Sequence, residues 1–379
     1  MWLPRKCPGL KVAILVTASA LASACASNDG NDGEVGTPGA PSLDGGGVDA
    51  TTARDAGVTG LPGTSPDGSG AGPSVDSGAG TADDSGGGPI GKDAGGPATP
   101  DSGPVTNPDS GPPSSAPLRF VVFGDSRDNS DVHKAVLDAM SKMSPELILD
   151  TGDLWAGYTN TSKLWATLTT SNANIAALLS SNRYLVSRGN HETVSELLAF
   201  TPTLVRNNRE TYSFTVGNAF FVSLGMNPAT ATAFLSQELA SAPGKAATWR
   251  FVYSHYPVYD SGDGHGPVKG IPAVESICDQ YHVTAFFSGH EHIYERFNQI
   301  AAGKVVDTTD ALKASKGTVY VVSGGGGAPF YTVTTALPQE HVNKTDVNHY
   351  VLVDLTATTM SVQTLDTTNA VIDRFQITQ

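Results

Sequence analysis

The chain has 379 residues, with 37 acidic against 23 basic side chains and a formal net charge of −14 at pH 7. Residues 118–379 account for only −6 of that, and a mildly acidic segment with no basic stripe argues against nucleic-acid backbone binding. Only Cys7, Cys25 and Cys278 occur, so a disulfide framework is excluded.

Met1 to Lys11 carries Arg5, Lys6 and Lys11, and Val12 to Leu21 is a run of apolar and small residues. A basic start with an apolar stretch this short reads as a secretory signal over residues 1–24, too short to span a bilayer. Leu21-Ala22-Ser23-Ala24-Cys25 resembles a bacterial lipobox, with the aliphatic residue one place early. Lipidation of Cys25 would make the protein a membrane-anchored lipoprotein at the periplasm or cell surface. The other reading is a plain cleavage after Ala24.

Residues 25–117 are expected to form a disordered tether. The 92 residues from Ala26 to Pro117 contain no aromatic side chain, and they hold 12 Asp and 1 Glu against Arg54 and Lys92. Asp-Ser-Gly or Asp-Ala-Gly recurs at Asp55, Asp76, Asp84, Asp93, Asp101 and Asp109. So little apolar surface cannot offset the entropy of ordering the chain. The Asp-Gly pattern lacks the regular period and aliphatic positions of a calcium-binding β-roll. A flexible coil of this length averages roughly 50–60 Å end to end.

Residues 118–379 read as a single domain, large enough to rely on its core. Leu118 to Phe123 is a buried strand. Helical spacing follows, with Val132, Ala135, Val136, Ala139, Met140 and Met143 on one face. Leu147 to Leu149 is the next strand, a helix is expected over about Ser162 to Ser180, and Tyr184 to Val186 is a third strand. This alternation predicts parallel strands with helical crossovers, whose ligands gather beyond the carboxyl ends of the strands. Thr211–Val216 and Phe220–Leu224 suggest a hairpin around Gly217-Asn218. Strands Trp249–Tyr253, Val283–Phe287, Thr318–Val322, Tyr350–Leu355 and Met360–Leu365 follow. The count favours an α/β fold of two packed mixed sheets flanked by helices.

Five motifs each follow an apolar run: Gly124-Asp125-Ser126-Arg127, Gly152-Asp153, Gly189-Asn190-His191-Glu192, Ser254-His255-Tyr256-Pro257 and Gly289-His290-Glu291-His292. Asp, Asn and His delivered from five strand ends are what a binuclear hydrolytic metal site needs. Singly, each motif is weak. In this order they resemble the calcineurin-like metallophosphoesterase superfamily, and within it the purple acid phosphatase-like branch. The resemblance extends over 118–379, including Tyr212-Ser213-Phe214 and His255 to Gly262, and implies a four-layer sandwich.

The resemblance implies that Asp153 bridges two divalent or trivalent metal ions (Fe, Mn or Zn). Asp125 and His292 would complete one ion's shell, and Asn190, His255 and His290 the other's. The implied reaction is phosphoric ester hydrolysis by a metal-bridged hydroxide. His191 is then expected to be the general acid for the leaving alcohol, or else a histidine that holds Asp153 or Glu192. His265 lies where relatives carry a substrate-side histidine. Asp150 reads as a strand-end structural residue, and Gly324 to Gly327 as a tight turn bordering the cleft.

Two departures stand out. Arg127 occupies a place that usually holds His or Gly. A guanidinium cannot ligate a cation, so Arg127 is expected to bind a substrate phosphate oxygen or to pair with Asp128 or Asp131. Ala156 stands where purple enzymes carry a tyrosinate ligand, with Tyr158 two residues further on. The expected substrate is a small phosphorylated molecule, with a phosphomonoester favoured over a diester. A surface binding module that kept the fold and lost turnover is the reading from another class. No protein partner is implied, and the membrane is reached only through the lipid at Cys25.

Overall fold

Leu118–Phe123 is apolar at five of six positions because both its faces are covered. Phe120 and Val122 point toward a second sheet, and Val121 and Phe123 toward helices on the opposite side. This division repeats along the neighbouring strands and builds the whole architecture. The structure, a computed structural model, describes residues 117–155, 166, 168–170, 172–200 and 210–379. The signal over 1–24, Cys25, the tether up to residue 116, Ala156 and Tyr158 lie outside the described residues.

The first sheet has seven strands, in spatial order Ala311–Lys313, Val371–Thr378, Thr359–Asp366, His349–Leu355, Leu118–Phe123, Leu147–Asp150 and Tyr184–Val186. Its last three strands are parallel, and Leu118–Phe123 pairs antiparallel with His349–Leu355. The second sheet also has seven: Glu340–Lys344, Tyr294–Phe297, Val319–Ser323, Ala285–Ser288, Trp249–Tyr253, Ala219–Ser223 and Tyr212–Val216. Its middle four run parallel, from Val319–Ser323 through Ala219–Ser223. The two sheets are therefore mixed, as expected. The hairpin around Gly217-Asn218 is present, with Tyr212 opposite Ser223.

An aromatic cluster joins the sheets face to face. The Phe120 ring meets Phe251 at 5.3 Å and Phe221 at 5.5 Å, both edge-on, while Phe221 stacks on Phe214 at 4.9 Å. Outside the first sheet, Val136 and Met140 of helix Ser130–Ser141 pack on Val121, Phe123 and Ile148. Outside the second, Leu235, Val274 and the buried Cys278 pack on Val222, Val252 and Phe286. Helix, sheet, sheet and helix form four layers.

Two local expectations change. The Asn129 side chain caps helix Ser130–Ser141 by accepting from the N–H groups of Asp131 and Val132. The helix is rotated so that His133 and Leu137 are buried and Ala135 is exposed. The stretch expected as one helix to Ser180 contains a fresh start: Asn172 is extended (φ −150°, ψ 123°) and caps Ala173–Ser180 through the N–H of Asn174. An extended residue cannot continue a preceding helical turn.

The aromatic contact between the sheets has a measurable consequence. Phe120→Ala should lower unfolding free energy by about 3–5 kcal/mol in denaturant titration, the usual cost of deleting a buried phenyl ring. A loss below about 1 kcal/mol would show that the sheets do not depend on this contact.

Candidate metal centre

Each candidate donor sits just past the end of a strand. Asp125 follows Leu118–Phe123, Asp153 follows Leu147–Asp150, and Asn190 lies beyond Tyr184–Val186. From the second sheet, His255 follows Trp249–Tyr253, and His290 and His292 follow Ala285–Ser288. Asp125, Asp153 and His290 all have left-handed backbone, with φ of 58°, 57° and 74°. Side chains rarely adopt this conformation, and its cost is typically borne where a loop must aim a functional group.

The two sheets meet through these loops. The His290 N–H donates to Asp125 Oδ2 at 3.0 Å, and His255 Nδ1 donates to the Thr151 carbonyl at 2.9 Å. His255 must then carry its proton on Nδ1, which leaves Nε2 as a lone-pair atom. That nitrogen lies 2.8 Å from Asn190 Oδ1, 3.2 Å from His290 Nδ1 and 3.4 Å from Asp153 Oδ1. Asn190 Oδ1 is also 3.0 Å from His290 Nδ1. Asn190 Oδ1, His255 Nε2 and His290 Nδ1 can be satisfied by a proton on His290 Nδ1, or by a cation among them when that nitrogen is unprotonated. Burial pushes the pKa of His255 down, and that of His290 far down, so both imidazoles are held neutral and each can offer one ring lone pair to a cation.

On the other side, Asp125, Asp153 and His292 each present a ligand-type atom, all within 4.8 Å of one another. Asp125 Oδ1 is buried, lies 3.7 Å from His292 Nε2, and has no hydrogen-bond partner among the described residues. Burial and the neighbouring Asp153 charge raise the Asp125 pKa well above the ordinary carboxylate range. His292 Nδ1 donates to the Pro329 carbonyl at 2.6 Å, and burial lowers this imidazole to about 4. An orphaned carboxylate oxygen, a neutral imidazole and converging lone pairs fit a cation. Asp153 stands between the two groups.

Arg127 enters the same space. Its Nε donates to Asp153 Oδ2 at 3.2 Å, its Nη1 to Asp128 Oδ2 at 2.5 Å, and its Nη2 lies 3.3 Å from His292 Nε2. His191 is nearer the rim. Its backbone N–H donates to Asp153 Oδ1 at 3.0 Å, while its ring Nε2 is 3.8 Å from Asp153 Oδ2 and partly open to solvent. His265 stacks on His290 with ring centroids 3.7 Å apart. Asp150 accepts from the Tyr184 hydroxyl at 2.6 Å and the Gly152 N–H at 2.9 Å, and burial raises its pKa to about 7.

Two carboxylates were not assigned a role from sequence, although both lie inside the motifs. Glu192 is buried and accepts from the N–H groups of Gly189 at 2.9 Å, Asp153 at 3.3 Å, and Leu154. It ties the Asp153-Leu154 and Gly189 loops together, and burial followed by the Asp153 charge pushes its pKa up. Glu291 accepts from the Gly264 N–H and from both the N–H and Nδ1 of His265, the latter at 2.8 Å. An acid flanked by ligand-type residues at a strand end was the available signal. Tyr331 stacks on His292 at 4.2 Å. Gly324 admits the backbone close to Asp125: a Cβ there would lie 2.1 Å from the Glu291 carbonyl and 2.9 Å from Asp125 Oδ2.

A two-sheet sandwich whose strand ends gather two carboxylates, an amide and three imidazoles presents a candidate metal centre. Residues 118–294 match the family model described as calcineurin-like phosphoesterase, in agreement with the resemblance carried by the five motifs. The chain is 26 % identical over 237 residues to purple acid phosphatase 22 of Arabidopsis thaliana, covering 57 % of this chain and 51 % of the relative. It is 28 % identical over 116 residues to a nucleotide pyrophosphatase/phosphodiesterase of Hordeum vulgare, covering 28 % of this chain and 31 % of the relative. The fold superposes on purple acid phosphatase PPD1 from yellow lupin seeds with a TM-score of 0.58 at 19 % identity, over 70 % of this chain and 55 % of that one. The chain thus spans about half the length or less of these relatives.

Gly189 supplies a test of the geometry. A Cβ at this position would fall 2.0 Å from Asp153 Oδ1 and 2.4 Å from Asp153 N. Gly189→Ala should therefore displace Asp153 and weaken calorimetric binding of Mn²⁺ by about tenfold or more, with circular dichroism unchanged. Undiminished binding would mean that the Asp153 carboxylate does not hold the metal.

Proposed function

We propose that this chain hydrolyses phosphate esters with metal ions held between Asp153 and the donors around it, and that its substrates are phosphomonoesters. The observation that carries this reading is the position of Asp153 between two donor sets, one of which includes the orphaned Asp125 Oδ1. Asp125, Asp153 and His292 would hold one ion, and Asn190, His255 and His290 the other. Bound cations supply a water of lowered pKa and charge to neutralise phosphoryl oxygens.

The protein's own side chains do the remaining work. Arg127 brings a permanent positive charge and N–H donors in beside Asp153 and His292, and His265 adds a ring nitrogen beside His290. Several donors around one phosphoryl group suit a monoester, which has one more non-bridging oxygen and one more charge than a diester. His191, at the solvent-facing rim, is in position to give a proton to the departing alkoxide. Glu192 and Glu291 keep the Asp153 loop and the His265 loop in place, so that little reorganisation accompanies the reaction. The same donors could serve a diester, and the barley relative is named for such a reaction.

The test is a panel of aryl phosphomonoesters and diesters assayed with Mn²⁺, Zn²⁺ or Fe²⁺. Metal-dependent turnover that favours monoesters is expected, and preference for diesters would reverse the substrate choice. No turnover with any metal would leave a binding module that kept the fold. His191→Ala should retain metal and lose about 10²–10⁴-fold in kcat on alkyl phosphates, much less on aryl phosphates with good leaving groups. Equal losses on both would remove His191 from the role of general acid.

A further inference from the structure

We propose that Arg127 is the resident cation of the Asp125/Asp153/His292 half of the centre. The chain would then hold one metal ion tightly, at Asn190, His255 and His290, and a second only weakly. This inference rests on the metal-site reading above and refines it.

The geometry places the guanidinium among the donors themselves. The Arg127 backbone N–H donates to the Asp153 carbonyl at 3.1 Å, which fixes the root of the side chain at the site. The side chain is 12 % exposed and cannot be counted as a surface group. Its Nε donates to Asp153 Oδ2 at 3.2 Å. Its Nη2 lies 3.3 Å from His292 Nε2, and the direction of this bond is set by the far side of the ring. His292 Nδ1 must donate to the Pro329 carbonyl at 2.6 Å, so Nε2 is the acceptor and Arg127 the donor.

Competition follows from that assignment. A carboxylate oxygen has two lone pairs and can serve both a guanidinium and a metal ion. An unprotonated imidazole nitrogen has one, so His292 either accepts from Arg127 or ligates a cation. Charge acts in the same direction. The carboxylates in this half are Asp125 and Asp153, and Arg127 already neutralises part of their charge. A divalent ion beside it, roughly 4 Å away, would meet strong like-charge repulsion in a buried setting. Arg127 also bonds Asp128 at the rim, which gives the guanidinium a place to swing when an ion does enter.

The other half has no such competitor. Asn190 Oδ1, His255 Nε2 and His290 Nδ1 converge within 2.8–3.2 Å of one another, and among the described residues no guanidinium or ammonium group bonds to any of them. One ion and one guanidinium would then share the neutralisation of a phosphoryl group that two ions perform elsewhere.

The experiment counts metal ions. Wild type, Arg127→Ala, Arg127→Met and Asp125→Asn are equilibrated with Mn²⁺, analysed for ions per chain, and titrated calorimetrically. Circular dichroism checks folding, and the Met variant keeps the aliphatic stem of the side chain. Wild type should bind one ion tightly and the second at least about tenfold more weakly, and both Arg127 variants should tighten the second by about tenfold or more. Electron paramagnetic resonance should change from isolated Mn²⁺ in wild type to an exchange-coupled pair in the variants. Asp125→Asn should keep the first ion and lose the second. Two ions of equal affinity in wild type, or Arg127 variants that bind no better, would overturn the inference and leave the phosphoesterase reading standing. Failure of every form to bind any ion would overturn the metal-site reading itself.

Discussion

The carboxylate of Asp153 is the point on which this structure turns. It is nearly fully buried, on a residue with left-handed backbone, and it is contacted from both sheets. The His191 N–H and Arg127 Nε reach it from the first sheet's loops, and His255 approaches from the second's. Burying a carboxylate is costly unless positive charge or hydrogen-bond donors surround it. The loops that supply them must therefore arrive together. That constraint is met because the two sheets pack through Phe120, Phe221 and Phe251 with the carboxyl ends of their parallel strands at a common edge.

Holding this charge arrangement requires further buried acids, each with an assigned task. Glu192 gathers three backbone N–H groups across the Asp153-Leu154 and Gly189 loops, and Glu291 gathers three donors from the Gly264-His265 turn. Asp150 anchors the loop from below through Tyr184. Burial raises the pKa of all three, so the protein sets the desolvation of several carboxylates against the precision of its loops. Cations among the donors would lower that electrostatic cost, which couples metal binding to the stability of the site.

The legibility of this chain is uneven for physical reasons. The strands nearest the site were recognisable because both their faces are apolar, and the ligand-type residues because they follow those strands directly. Tyr294–Phe297 was hidden, although it pairs with two neighbours, because Glu295 and Arg296 look like surface residues. Arg296 is buried because Asp373 and Asp310 pair with its guanidinium and the Phe375 ring lies 4.7 Å below. Such compensation comes from residues far along the chain. The single long helix ending at Ser180 failed for the opposite reason: apolar spacing continued past Asn172, whose side chain favours a local cap over a continued helical turn.

The sequence by itself determined the two-sheet α/β class, the order of the motifs and the residue types available for chemistry. Those depend on local apolar runs and on what each side chain can donate or accept. Tertiary structure alone decided that Glu291 would orient His265, that Glu192 would join two loops, and that the glycine run at Gly324 would lie against Asp125. It also decided where the guanidinium of Arg127 points. From sequence, that side chain could reach substrate, Asp128 or Asp131. Its bonds to Asp153 and its approach to His292 arise only when strand ends distant in the chain meet, because a long flexible side chain takes its partners from whatever the fold brings within reach.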